Sequence, residues 1–185
     1  MNTPEPPSDA DLPRRLNLKE FALRARALQG SVAVSALPRL ASSLHGEPGQ
    51  LAALRVQWEL RGMVRYDTSG RAQPLVRLRV EARLPMLCQR CLQGSWHAVD
   101  DTVVLRLVDE EPELDAEELE SEEEAFCARH PVDLAELVED QLILALPLVP
   151  MHDTCPQALP TRVGDAPAQE PASPFAVLAG LRKPN

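Results

Sequence analysis

Two pairs of residues have the spacing of metal ligands. Cys88-Gln89-Arg90-Cys91 places two thiols three residues apart, and His152-Asp153-Thr154-Cys155 repeats that interval with an imidazole and a thiol. Two thiolates in so short a turn can take two corners of a zinc tetrahedron, and the second pair can supply the other two corners. The candidate metal is therefore zinc, and the candidate ligands are Cys88, Cys91, His152 and Cys155.

Two other interpretations of the cysteines stay open. The thiols of Cys88 and Cys91 can serve as structural groups that pack inward. A thioredoxin-like redox role would need the first cysteine at the start of a helix, whereas this motif joins two predicted strands. We expect the two pairs to lie close together with or without a metal, with the thiols within roughly 4 Å of one another.

The sequence carries no other signature of catalysis. Its histidines are scattered, no serine lies in a nucleophile elbow, and no glycine-rich phosphate loop occurs. The carboxylates of 109–124 are too dense and unpatterned for a paired acid and base, which need different environments, and they fit a solvated loop. We therefore predict a protein that is not an enzyme and has no evident small-molecule substrate.

The net charge of −9 conceals a strong asymmetry along the chain. Residues 109–124 carry eleven acidic and no basic side chains, whereas residues 14–97 carry fourteen basic and five acidic ones. Arginines on two predicted neighbouring strands can neutralise phosphates of a structured RNA, and the alternative is an ordinary solvated sheet face. Aromatic residues are few, which disfavours sequence-specific reading of single strands. The candidate RNA-binding residues are Arg55, Arg61, Arg77, Arg79 and Arg83.

Hydrophobic periodicity predicts an antiparallel meander over about 50–108. Apolar and polar residues alternate at 54–60 and at 76–84, and a third apolar run ends at Leu107. Residues 67–70 are a plausible turn between the first two strands.

Two helices complete the predicted domain. One is expected at 18–28, capped by Asn17 and ended by Gly30, and a longer one at 134–146, capped by Asp133. The apolar stripe of the longer helix and the apolar strand positions are the large surfaces available for packing. The predicted fold class is α+β: an antiparallel β-sheet meander packed by a long helix in the C-terminal half, with an N-terminal helix.

Composition adds flexible acidic and proline-rich segments to this domain. The chain has 18 prolines and only 3% aromatic residues, so we expect one aliphatic core with irregular flanks. The predicted order is a disordered tail at 1–13, a single α+β domain at 14–155 containing the acidic loop 109–124, a linker at 156–172, and a short docking helix and tail at 173–185.

Targeting signals and cysteine usage predict a cytoplasmic protein. The first residues have neither the basic nor the apolar region of a signal peptide, and no apolar stretch is long enough to cross a bilayer. Four cysteines, two of them three residues apart, do not form the framework of a secreted disulfide-rich domain. We therefore expect no contact with a membrane.

Three blocks of the sequence resemble the YceD family, also described as large ribosomal RNA subunit accumulation proteins. They are Leu87-Cys88-Gln89-Arg90-Cys91, the segment 132–153 around the longer helix, and Pro174-Phe175-Ala176-Val177-Leu178-Ala179-Gly180-Leu181. The resemblance implies a non-catalytic ribosome biogenesis factor that supports synthesis, processing or stability of 23S ribosomal RNA. It implies ribosomal RNA, or a ribosomal or rRNA-processing protein, as the partner. The alternative is a thiol- or zinc-dependent enzyme that acts in rRNA metabolism through the CxxC motif.

Overall fold

The computed structural model describes residues 12–66, 69–110 and 123–156. These ranges form an α+β arrangement of one five-stranded sheet with short helices. In chain order the elements are α1 (Leu18–Leu23), β1 (Ala27–Ala33), a 3₁₀ turn (Val34–Ala36), α2 (Pro38–Ser43), α3 (Pro48–Ala52), β2 (Arg55–Tyr66), β3 (Ala72–Leu87), β4 (Gly94–Val108), β5 (Glu124–Cys127) and α4 (Leu134–Ala145).

The strands follow one another in the sheet in the order of the chain. Strands β1 to β4 pair antiparallel, as the predicted meander requires. Strand β5 instead pairs parallel to β4, with Leu105 opposite Glu124 and Val108 opposite Cys127. The sheet is therefore mixed, and the prediction of a purely antiparallel sheet is wrong at this edge. Only four residues form β5, too few for alternation to reveal them.

Alternation along β2 and β3 places the core on one face of the sheet. Val56, Trp58, Leu78 and Val80 are buried, as predicted. The helices cover this face with fully buried side chains, among them Phe21 of α1, Leu40 of α2, and Leu134, Val138 and Leu142 of α4. Asp133 caps α4 by accepting a hydrogen bond of 2.8 Å from the backbone N–H of Ala135.

The predicted helix at 18–28 is wrong beyond its first turns. Asn17 caps α1 as predicted, accepting from the N–H of Glu20 at 3.0 Å, but the helix ends at Leu23 and the chain turns through Ala25 at φ +46°. Residues 27–33 then pair with β2 as a strand. Apolar residues at helical spacing continue past Leu23, but the open edge of β2 offers this segment a full set of backbone partners.

Gly30 has a role other than the predicted helix end. It lies opposite Trp58, and a Cβ at this position would sit 2.8 Å from a carbon of the indole ring. A similar close approach occurs at Gly62, where a Cβ would lie 2.7 Å from the Cα of Ala22 in α1. The two glycines therefore let bulky groups cover the sheet closely.

A buried carboxylate joins α2 to α4. Glu139 is 4% exposed, and its carboxylate accepts from the backbone N–H groups of Arg39 at 2.7 Å and Leu40 at 3.0 Å. The guanidinium of Arg39 adds a bond of 2.9 Å to the other oxygen. Because the first N–H groups of a helix lack partners within it, Glu139 satisfies the start of α2 from a neighbouring helix.

Several predicted segments lie outside the described residues. These are most of the tail 1–13 and of the acidic loop 109–124, the turn residues 67–68, almost all of the linker, and the docking helix at 173–185. Leu12 is buried, and the carbonyl of Pro13 accepts from the N–H of Leu134 at 3.0 Å. Within the ranges that the structure describes, no helix is long and apolar enough to cross a membrane.

Candidate metal-binding site and the arginine face

The hairpin loop between β3 and β4 carries Cys88 and Cys91. The N–H of Cys88 donates to the carbonyl of Gln93, and the N–H of Leu92 donates to the carbonyl of Cys88, both at 2.9 Å. Leu92 has a φ of +56°, in the left-handed region, which lets the chain reverse in so few residues. Cys88 is fully buried and Cys91 half-buried in this tight loop.

The segment that follows α4 lies against the loop. The carbonyl of Pro150 accepts from the N–H of Gln89 at 2.9 Å, and the carbonyl of His152 accepts from the guanidinium of Arg90 at 2.8 Å. Through these bonds the backbone around His152 is held beside the first ligand pair.

The side chain of His152 points its two nitrogens at two different groups. Its Nδ1 lies 3.4 Å from the sulfur of Cys91, and its Nε2 lies 3.0 Å from the carbonyl oxygen of Gly94. Its backbone N–H also donates to the sulfur of Cys88 at 3.5 Å. An Nε2–H that donates to a carbonyl leaves Nδ1 with a lone pair, which is the form that binds a metal.

The two predicted pairs together form a group that could bind a metal ion. The ligand atoms of Cys88, Cys91, His152 and Cys155 all lie within 4.8 Å of one another. Sulfur and nitrogen ligands at the corners of a zinc tetrahedron lie about 3.3–3.8 Å apart, so small side-chain movements would suffice for four-coordination. All four cysteines of the chain are free thiols, and Cys127 lies apart from this group on the exposed end of β5.

The surroundings of Cys88 favour its thiolate. Burial acts to raise the pKa of the thiol, but N–H groups of Cys91, His152 and Arg90, together with the His152 side chain, outweigh burial and lower the pKa to about 5. The thiolate is the form of cysteine that ligates metals.

The five candidate RNA-binding arginines lie on the face of the sheet opposite the core. Acidic side chains share this face, and Arg79 bonds to Asp100 at 2.9 Å and to Glu81 at 2.8 Å. Its hydrogen bond is the main cause that lowers the pKa of Asp100. Arg61 pairs with Glu59. The structure thus brings Arg55, Arg61, Arg77, Arg79 and Arg83 onto one surface, where neighbouring carboxylates offset part of their charge.

Sequence reasoning missed one pair of residues on this face. Trp96 in β4 is 53% exposed, and the guanidinium carbon of Arg83 in β3 lies 5.3 Å from the centre of its ring. Alternation in β4 could have indicated that Trp96 is exposed. Trp96 lies three positions before the buried Val99, and strand residues an odd number of positions apart point to opposite faces. Its contact with Arg83 depends on the register of the hairpin, which the sequence pattern leaves open.

The cysteine loop, α4 and His152 all lie in a region with known relatives. Residues 76–182 match the model of a family described as large ribosomal RNA subunit accumulation protein YceD. The chain belongs to the YceD family. The match covers more than half of the chain and includes all four candidate ligands, together with Arg77, Arg79 and Arg83 but neither Arg55 nor Arg61.

A curated YceD family member from Haemophilus influenzae, named large ribosomal RNA subunit accumulation protein YceD, is 47% identical over 57 residues. The alignment covers 28% of this chain and 33% of that protein, so the chain spans about a third of the length of the relative that it matches. No solved structure matches the chain.

Proposed function

We propose that this chain is a non-catalytic ribosome biogenesis factor that supports the synthesis, processing or stability of 23S ribosomal RNA. The observation that carries the proposal is the family match over residues 76–182, a family described by accumulation of large-subunit ribosomal RNA. The relative from Haemophilus influenzae bears the same description. The partner is ribosomal RNA, or a ribosomal or rRNA-processing protein.

The arginine face supports a direct contact with RNA. On this face Arg77 and Arg83 lie beside the pairs that Arg61 and Arg79 form with Glu59, Glu81 and Asp100. Arginine contacts to phosphates position a protein on RNA without reading its sequence. We therefore expect salt-dependent binding with little sequence preference.

We also propose that Cys88, Cys91, His152 and Cys155 bind zinc as a closed structural site. Three thiolates and one imidazole are a common ligand set for structural zinc, and a filled tetrahedron leaves no position for a substrate. His152 would ligate through Nδ1 while its Nε2–H remains bonded to Gly94, which fixes the ring. Bound zinc would hold the segment after α4 against the β3–β4 hairpin.

One observation favours the alternative of a thiol-dependent enzyme: the N–H of His152 donates to the sulfur of Cys88 at 3.5 Å, one of the contacts that lower the pKa of this thiol to about 5. A catalytic thiolate must also be reached by its substrate, yet Cys88 is 0% exposed. A buried thiolate bonded to N–H donors fits a metal ligand better than a nucleophile.

A crosslinked pull-down of the full chain from growing cells tests the proposed function. We expect 23S rRNA to be enriched over 16S rRNA, or a protein of the large ribosomal subunit or of the rRNA-processing machinery to be recovered. Recovery of neither the rRNA nor such a protein would contradict the proposal.

A further inference from the structure

We propose that Trp96 and Arg83 form a stacking site for an unpaired base of single-stranded RNA. This inference rests on the proposed function and adds a ligand class to the arginine face. Of the two tryptophans, Trp58 is 5% exposed within the core, whereas Trp96 leaves 53% of its surface open to solvent. An indole half exposed on a polar face offers a stacking surface that a nucleobase can cover.

The backbone holds this indole in a fixed place. Trp96 lies in the β3–β4 ladder opposite Pro85, which is buried. Two residues earlier, the carbonyl of Gly94 bonds to the ring of His152 in the candidate metal site. A side chain with few rotamers on a strand anchored in this way loses little conformational entropy when a ligand binds.

The charge beside Trp96 favours a nucleic acid over an apolar protein surface. Arg83 contacts the indole ring with its guanidinium, and Arg77 and Arg79 follow on the same face of β3. A ligand that joins a flat ring to a negatively charged backbone satisfies both the indole and the arginines. An apolar protein patch would bury the guanidinium of Arg83 beside the indole and offer it no hydrogen-bond acceptor.

Single-stranded RNA fits this site better than a duplex. Bases in an A-form helix are stacked on one another, so their rings are not available to a side chain. An unpaired base of any identity can stack, since every base has a flat π face. The site therefore prefers single-stranded to double-stranded RNA and accepts any base sequence.

The test uses the full chain, a short labelled oligouridine, and a labelled RNA duplex with the same number of phosphates. Trp96→Leu removes the aromatic ring, and Trp96→Phe keeps a ring but removes the indole fluorescence. We expect oligouridine to bind Trp96→Leu about tenfold more weakly than the parent, and to bind Trp96→Phe nearly as tightly as the parent. Duplex binding should be equal in all three proteins.

Tryptophan fluorescence gives a second readout. Oligouridine should quench the tryptophan fluorescence of the parent protein. It should not quench that of Trp96→Phe, because the remaining Trp58 is buried. If Trp96→Leu binds oligouridine as tightly as the parent, the stacking site is refuted while RNA binding by the arginine face stands. If the parent binds neither RNA, the stacking site is also refuted, and the proposed function must then act through a protein partner.

Discussion

The Nδ1 atom of His152 lies 3.4 Å from the sulfur of Cys91, although the two residues are far apart in the sequence. The contact joins the segment after α4 to the hairpin between β3 and β4. It places an imidazole nitrogen and a thiol side by side, as a shared metal ion requires.

Zinc content is the first prediction. Protein purified without a chelator should carry near-stoichiometric zinc, and both Cys91→Ser and Cys155→Ser should lose most of it, because each removes one corner of the tetrahedron. Cys127→Ser is the matched control, since its thiol lies outside the group and donates to the carbonyl of Asp109. Elemental analysis measures the metal. A parent protein free of zinc, or an equal loss of zinc in Cys127→Ser, would refute the assignment of Cys91 and Cys155 as zinc ligands.

The second prediction concerns the buried carboxylate of Glu139, which joins α4 to the start of α2. Glu139→Ala should lower the free energy of unfolding by about 2–3 kcal/mol, because it leaves two N–H groups at the start of α2 without their acceptor. Asp140→Asn is the control, since its ion pair with Arg39 is exposed and should contribute less than about 1 kcal/mol. Urea denaturation measures both. Equal losses in the free energy of unfolding for the two variants would show that the buried hydrogen bonds of Glu139 contribute no more than the exposed ion pair.

The third prediction concerns acid pH. The hydrogen bond from Arg79 holds the pKa of Asp100 below its ordinary value against the opposing effect of burial. A carboxyl with a lowered folded-state pKa stabilises the fold above its unfolded pKa of about 3.9, and this contribution is lost as the pH falls through the folded-state pKa. Arg79→Gln should therefore raise the pKa of Asp100 in an NMR titration of its carboxyl carbon. Arg77→Gln should leave that pKa unchanged, and the reverse pattern would refute Arg79 as the cause.

The fourth prediction separates the basic face from the acidic segment. Changing Arg77, Arg79 and Arg83 together to Ala should weaken rRNA association and flatten its dependence on salt, because fewer counterions are released. Neutralising the acids of 111–122 to Gln and Asn should strengthen association, if that segment competes with phosphates for the arginines. Arg24→Ala, in the turn after α1, serves as the control. Unchanged binding in both variants would move the proposal to a protein partner.

The sequence predicts the parts of the fold where one local rule is strong. Helix α4 has a capping residue, an apolar stripe and a proline after its end, and the central parts of β2 and β3 alternate over 55–60 and 76–84, so all three elements were predictable. Strand β1 was not, because its alternation is weak, with Leu28 and Val32 as the large apolar residues of its inward face, and because Leu28 also continues the helical spacing of α1. Whether such a segment becomes helix or strand is decided by the edge of β2, which is a tertiary effect.

The candidate site is predictable to the extent that its chemistry repeats. The matched intervals of Cys88 with Cys91 and of His152 with Cys155 indicate one group from spacing and residue type alone. The Trp96–Arg83 contact requires the register of the β3–β4 hairpin, and the ion pair of Arg79 requires a carboxylate from another strand. Contacts between strands depend on the register of pairing, and a shift of one residue would replace every one of these contacts.

The ratio of 23S to 16S rRNA in cells depleted of this chain measures whether the chain supports accumulation of 23S rRNA. We predict that depletion lowers the ratio, that the parent chain restores it, and that Cys127→Ser restores it as well. The Cys91→Ser variant should restore it poorly, since it would lose the zinc that we propose holds the segment after α4 against the β3–β4 hairpin. A ratio that stays the same after depletion would rule out the proposed role in 23S rRNA accumulation.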